Sequence, residues 1–109
     1  MARSAKTTPD VTVVTISEFG RRVFENGSGG ADHGHGNAVL LLGGGLRGGR
    51  VHGQWPGLRP DALDQGDLAG TTDYRDVLAE YLVNRFGLST AALADVFPGL
   101  TPAPPGAFT

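Results

Sequence analysis

Cysteine is absent from this 109-residue chain, which excludes both a disulfide framework and a thiolate metal site. Any metal must be held by histidine and carboxylate. No apolar run approaches the roughly 20 residues of a membrane span, and the opening MARSAKTTPD lacks the apolar core of a secretory signal. The expectation is a cytoplasmic protein without a membrane span. Positive charge is scarce as well: nine Lys and Arg against eleven Asp and Glu leave a net charge of −2. With both signs interspersed there is no basic face for a phosphate backbone, so nucleic acid is not an expected partner.

Glycine and proline, by contrast, are abundant. The 18 Gly and 7 Pro are together close to a quarter of the chain, against a usual roughly 12%, and indicate many loops. A chain of this length forms one domain at most, burying only about 60–70% of its unfolded surface. The 39% hydrophobic content still argues for folding.

Residues 11–17, VTVVTIS, are almost all β-branched and too few for a helix, the pattern of a strand buried on both faces of a parallel sheet. Residues 38–42, AVLLL, form a second such run. It closes at Gly43, Gly44 and Gly45, where something is expected to approach the backbone closely. Residues 50–53 suggest a short edge strand, and 54–70 an extended loop in which Trp55 packs. Thr72 is a plausible N-cap, with Asp73 and Asp76 in the first turn. Tyr74, Val77, Leu78, Tyr81 and Leu82 then recur at helical spacing as a core stripe, and Gly87 ends the helix. Ser89 caps a second short helix to about Asp95. The Pro- and Gly-rich tail reads as a strap or a frayed end. The segmentation is a disordered 1–9, a domain portion 10–99 and a tail 100–109. One good helix cannot cover both faces of a parallel sheet, so the chain reads as the C-terminal part of a larger α/β protein.

The chemistry concentrates in GGADHGHGN, residues 29–37. Asp32, His33 and His35, in a glycine loop able to bend, can offer a carboxylate and two imidazoles to a divalent ion. The same residues also suit a polar turn with two solvated histidines. Glu18 leaves the end of the first strand, the edge at which open α/β sheets place their ligands. It is either a further metal ligand or an ion-pair partner of Arg21 or Arg22. Those two arginines match a tetrahedral oxyanion, phosphoryl or sulfuryl, although surface arginines are commoner. His52 reads as a satisfied or exposed histidine. The glycines at 43–49 lack the lysine and spacing of a phosphate-binding loop.

From about Asp10 to Gly99 the succession VTVVTISEFGRR, ENGSGGADHGHGNAVLLLGGGLRGGRVHGQWPGL, GDLAGTTDYRDVLAEYL and VFPG closely resembles the C-terminal end of the domain-of-unknown-function-1501 family. The SEFGR and DHGHGN blocks carry the specificity. That family looks like a branch of the alkaline phosphatase and sulfatase superfamily. The resemblance implies an α/β fold, here the C-terminal fragment of a three-layer sandwich with a mostly parallel central sheet, and one or two divalent metals (Zn, Mn, Ca or Mg). Its members are usually longer and often begin with a twin-arginine export signal, neither of which this chain displays. Two registers onto the superfamily exist. One aligns Asp32-His33 with its Asp-His-Ala-His block; the other, preferred here, sets Glu18-Phe19-Gly20 in the place of its Asp-His-Gly and lets a histidine of DHGHG supply the later ligand. Phe19 then stands where a ligand histidine would be.

The resemblance therefore implies metal ligands Glu18, Asp32, His33 and His35 and a phosphate or sulfate ester as substrate, for which Arg21 and Arg22 are, on their own chemistry, the candidate contacts. A nucleophile and further Asp ligands would come from a missing N-terminal part of the same domain, the expected partner. No residue of this chain is assigned as nucleophile, and the fragment alone is expected to be inactive. The alternative is a non-enzymatic relative that binds a partner or the cell envelope.

Overall fold

The computed structural model describes residues 10–109; the disordered segment expected over 1–9 lies outside them. The chain divides into two compact units. One comprises the residues up to Val13, Leu41–Gly53 and Thr72–Thr109; the other comprises Val14–Leu40 and Gln54–Thr71.

Among the described residues the expected parallel central sheet is not formed. Four short strands, β1 (Thr12–Val14), β2 (Gly20–Arg21), β3 (His33–Gly34) and β4 (Leu41–Gly43), make two separate two-stranded ribbons, β1 with β4 and β2 with β3. Both ribbons are antiparallel: Thr15 N donates to Leu40 O at 3.1 Å, while Gly43 at the far end of β4 lies against Val11. The three-layer sandwich is thus corrected to two small antiparallel ribbons followed by two helices. Parallel neighbours need a crossover that returns the chain to its starting edge, usually a helix. The connection between these two apolar runs instead contains the β2–β3 hairpin, so the runs meet head to tail. Nor are they buried on both faces, since Val11, Val13, Ile16, Leu40 and Leu42 are exposed.

Gly43 ends β4 with φ 135°, and a Cβ there would collide with Val11 O. The Arg85 guanidinium reaches over the following residues, donating from Nη2 to Gly44 O at 2.8 Å. A Cβ on Gly45, whose φ is 71°, would lie 3.1 Å from that guanidinium, so these contacts account for Gly43 and Gly45 at the strand exit. The edge strand expected at 50–53 is absent; Val51 is 98% exposed. His52 is a satisfied histidine, with Nε2 2.8 Å from Arg47 O. Trp55, expected to pack, is 69% exposed.

The helices follow their local signals. Helix α1 (Tyr74–Phe86) begins one residue later than expected, because Asp73 rather than Thr72 caps it, accepting from Arg75 N at 2.9 Å. Gly87 closes it in the left-handed conformation, φ 61°, with its N–H on Val83 O. Helix α2 (Thr90–Val96) is capped by Ser89, whose hydroxyl accepts from Ala92 N. Val77 and Ala79 of α1 and Leu93 of α2 are buried, whereas Tyr74, placed in the stripe, is exposed. No helix among the described residues is long and apolar enough to cross a membrane.

The tail is a strap, and it completes the core of this unit. Ala107 and Phe108 are 2% and 5% exposed. Phe108 bridges to Leu46, and Arg47 N donates to Ala107 O at 2.9 Å. The Glu80 carboxylate fastens the strap by accepting from three successive backbone amides, Gly106 at 2.7 Å, Ala107 at 2.6 Å and Phe108 at 2.9 Å. Asp76, itself buried, accepts from Ala103 N at 2.9 Å.

Glu80→Ala is expected to destabilise the chain by about 2–3 kcal/mol, since bonds to a charged group are among the stronger ones. Urea unfolding would register the loss, with earlier proteolysis of the tail. The Arg75 guanidinium, hydrogen-bonded to Asp73 at 2.6 Å, holds the Asp73 carboxyl below the usual carboxylate range. A lowered pKa means that this stabilisation is complete above the ordinary value of about 4 and lost as pH falls through the folded-state value. Thermal unfolding across that window should show the wild-type advantage over Asp73→Asn shrinking on the acid side.

Candidate functional site

The six residues singled out in sequence lie on or beside the β2–β3 hairpin. Its register pairs Gly20 with Gly34 and Arg21 with His33, and Arg22 N donates to Asp32 O at 3.0 Å. The SEFGR and DHGHG blocks are therefore neighbours along one ladder. The glycines permit this approach: a Cβ on Gly20 would collide with Gly36 O, and one on Gly34 would stand 2.5 Å from the Arg21 carbonyl carbon. Gly36 is buried against Leu68, where a Cβ would lie 2.5 Å from Leu68 O. The spacing G-H-G thus serves backbone contact rather than flexibility.

Asn26 organises the turn between the strands. Its Oδ1 accepts from Ser28 N at 3.0 Å and Gly30 N at 2.9 Å, and its Nδ2 donates to Asp32 Oδ1 at 3.0 Å. Gly29, with φ 74°, supplies the left-handed residue of the turn. Asp32 is thereby fixed toward the turn. The His33 ring instead stacks on Phe19, with centroids 3.6 Å apart and planes 17° from parallel. Successive side chains of extended backbone point to opposite faces, so the adjacent Asp32 and His33 diverge. His35 lies beside Gly70, its Nε2 3.4 Å from where a Cβ would be. Glu18 is exposed in the bend before β2.

The two arginines part company. Arg21 is exposed, opposite His33. Arg22 is half-buried, its Nε 3.3 Å from Asp67 Oδ1 and its Nη2 donating to Gln65 O at 3.3 Å. Asp67 Oδ1 has no partner of hydrogen-bond geometry, so that contact is an ion pair by proximity alone. The acceptor loop is a tight reversal with reciprocal bonds between Asp64 and Asp67 at 2.8 and 2.9 Å. It is led by Gln65 at φ 52° and Gly66 at φ 85°. The ion pair that the sequence allowed as an alternative was Glu18 with Arg21 or Arg22; the one observed joins Arg22 to Asp67. Asn26 and Asp67 were both missed in sequence. Asn-Gly-Ser was a visible turn signal, whereas nothing around Asp67 pointed to residue 22.

Among the described residues no three His, Asp or Glu side chains come together as a metal site. The described donors do not by themselves form a three-ligand set. A cavity of about 290 Å³ lies in the other unit, walled by Ala79, Val83, Leu93, Pro104 and Phe108. Its acidic residues, Asp76 and Glu80, already accept from tail amides. None of the six expected site residues lines it.

Residues 7–96 match the family described as protein of unknown function (DUF1501). The chain belongs to this family. No curated protein and no solved structure matches it. Both halves of the hairpin fall inside the matched segment, so the ladder that joins SEFGR to DHGHG is an arrangement of DUF1501 sequence and not of its flanks.

In this DUF1501 chain, Gly20→Ala or Gly34→Ala is expected to cost about 1–3 kcal/mol through overpacking. Hydrogen exchange should localise the damage, with the Arg22 amide losing protection. Phe19→Ala should free the His33 ring at a cost of about 1 kcal/mol, visible as altered ring resonances.

Proposed function

We propose that the β2–β3 hairpin supplies part of a divalent-metal ligand set in a phosphatase- or sulfatase-like protein, related to the alkaline phosphatase and sulfatase superfamily, that hydrolyses phosphate or sulfate esters. The observation that supports this reading is the ladder pairing Gly20 with Gly34 and Arg21 with His33, which makes the block that carries Glu18 and the block that carries Asp32, His33 and His35 neighbours in the fold. Because these donors do not converge among the described residues, the reading needs further donors from outside this chain. In it Glu18, Asp32, His33 and His35 are the ligand candidates, and Arg21, exposed on the hairpin, is a better candidate than the engaged Arg22 for an ester's oxyanion. No catalytic step is assigned to this chain.

A second reading is a non-enzymatic relative that binds a partner or envelope surface. It is favoured by the Phe19 stack on His33 and by the Arg22–Asp67 pair, each of which engages a group the hydrolase reading would use.

Titration of a parent protein containing this segment with Zn²⁺ or Mn²⁺, followed by histidine ring resonances, discriminates between them. The first reading expects His33 and His35 to shift together, with the response reduced at least several-fold by Asp32→Ala or His35→Ala. It also expects a parent protein containing this segment to hydrolyse p-nitrophenyl phosphate or sulfate in a chelator-sensitive way. Unmoved histidines and a parent that folds normally in chelator without turnover would leave the binding reading.

A further inference from the structure

The turn that closes the hairpin carries a chemistry separate from metal ligation. Asn26 is followed by Gly27, whose N–H makes no hydrogen bond and around which a Cβ would meet nothing within 4 Å. The bond from Ser28 N to Oδ1 folds the Asn26 side chain back over the Gly27 peptide. Two backbone donors on one atom identify it as the amide oxygen, leaving Nδ2 to face Asp32. The arrangement brings together an unencumbered backbone nitrogen, an amide carbon beside it, and two N–H groups aimed at the oxygen where negative charge develops on attack.

We propose that Asn26 is a self-modification site, converted to aspartate or isoaspartate through a cyclic imide. Gly27 N bonds to Asn26 Cγ while its proton passes to water. The Cγ–Nδ2 bond then breaks as Nδ2 takes a proton from water and leaves as ammonia. One water adds across the imide to give either acid. The sum is asparagine plus water to an acid plus ammonia, with no redox change. Ser28 N–H and Gly30 N–H stabilise the tetrahedral oxyanion in the manner of other preorganised donors, and the turn supplies proximity.

The modification alters the hairpin. In the aspartate product a carboxylate oxygen stands where Nδ2 donated to Asp32, so a 3.0 Å hydrogen bond becomes a contact between like charges. Asp32 then loses its anchor to the turn. This proposal does not depend on the metal reading.

The experiment is peptide mapping by mass spectrometry of the intact protein after incubation in warm, mildly alkaline buffer. Asn37 and Asn84, followed by Ala38 and Arg85, serve as internal references. The expected result is a gain of one mass unit with isoaspartate at residue 26, well ahead of either reference, and several-fold slower conversion in Gly27→Ala, whose added methyl has free space. An Asn26 no faster than Asn37 or Asn84, or a Gly27→Ala rate equal to wild type, would overturn the site. Urea should slow the conversion by removing the Ser28 and Gly30 donors; acceleration in urea would overturn their role. Asn26→Asp should move the Asp32 and Arg22 amide resonances, and unmoved resonances would overturn the coupling to Asp32.

Discussion

Close backbone approach at Gly20, Gly34 and Gly36 is the constraint on which the site-bearing unit depends. At each position a Cβ would overlap neighbouring atoms, so the hairpin closes only because those residues have none. That closure sets the SEFGR and DHGHG blocks side by side. It also aims the side chains: with glycine flanking it on the ladder, His33 is left to stack on Phe19, and Asp32 turns to Asn26. A glycine-rich stretch that reads as loose is held in close backbone contact.

Side-chain polar groups do much of the remaining construction. Glu80 and Asp76 take up four tail amides, Asn26 takes up two turn amides, and Arg22 bonds the Gln65 carbonyl. Among the described residues the buried apolar side chains are few: Val77, Ala79, Leu93, Ala107 and Phe108, all in the unit that contains the helices. Where so little hydrophobic surface is available, each carboxylate that satisfies otherwise unpaired N–H groups has a large share in holding a loop.

Both helices were legible in sequence to within a residue or two, because Asp73, Ser89 and Gly87 act on hydrogen bonds within their own turns. The two apolar runs were legible as extended segments, but their partners and direction were not. VTVVTIS and AVLLL carry the same pattern whether a helix returns the chain for parallel pairing or a hairpin lets it meet antiparallel. The SEFGR and DHGHG blocks were legible as the stretches that carry the family resemblance, whereas their pairing along one hairpin was shown only by the ladder. The Arg22–Asp67 pair was not legible, since it joins residues far apart in the chain. Trp55 was expected inside on residue type and Tyr74 on helical spacing, yet both are exposed, because burial depends on what else arrives.

By itself the sequence determined membership of the DUF1501 family, the caps and extents of the helices, and the set of metal-type side chains, all of which reside in residues near one another along the chain. Tertiary structure alone decided that the strands pair as antiparallel ribbons, that the tail straps onto α1, and that Asp32 and His33 face apart. The reason is range: a cap or a glycine C-terminus is settled within one turn of backbone. Strand direction and the convergence of ligands depend on which distant segment fills the space beside them.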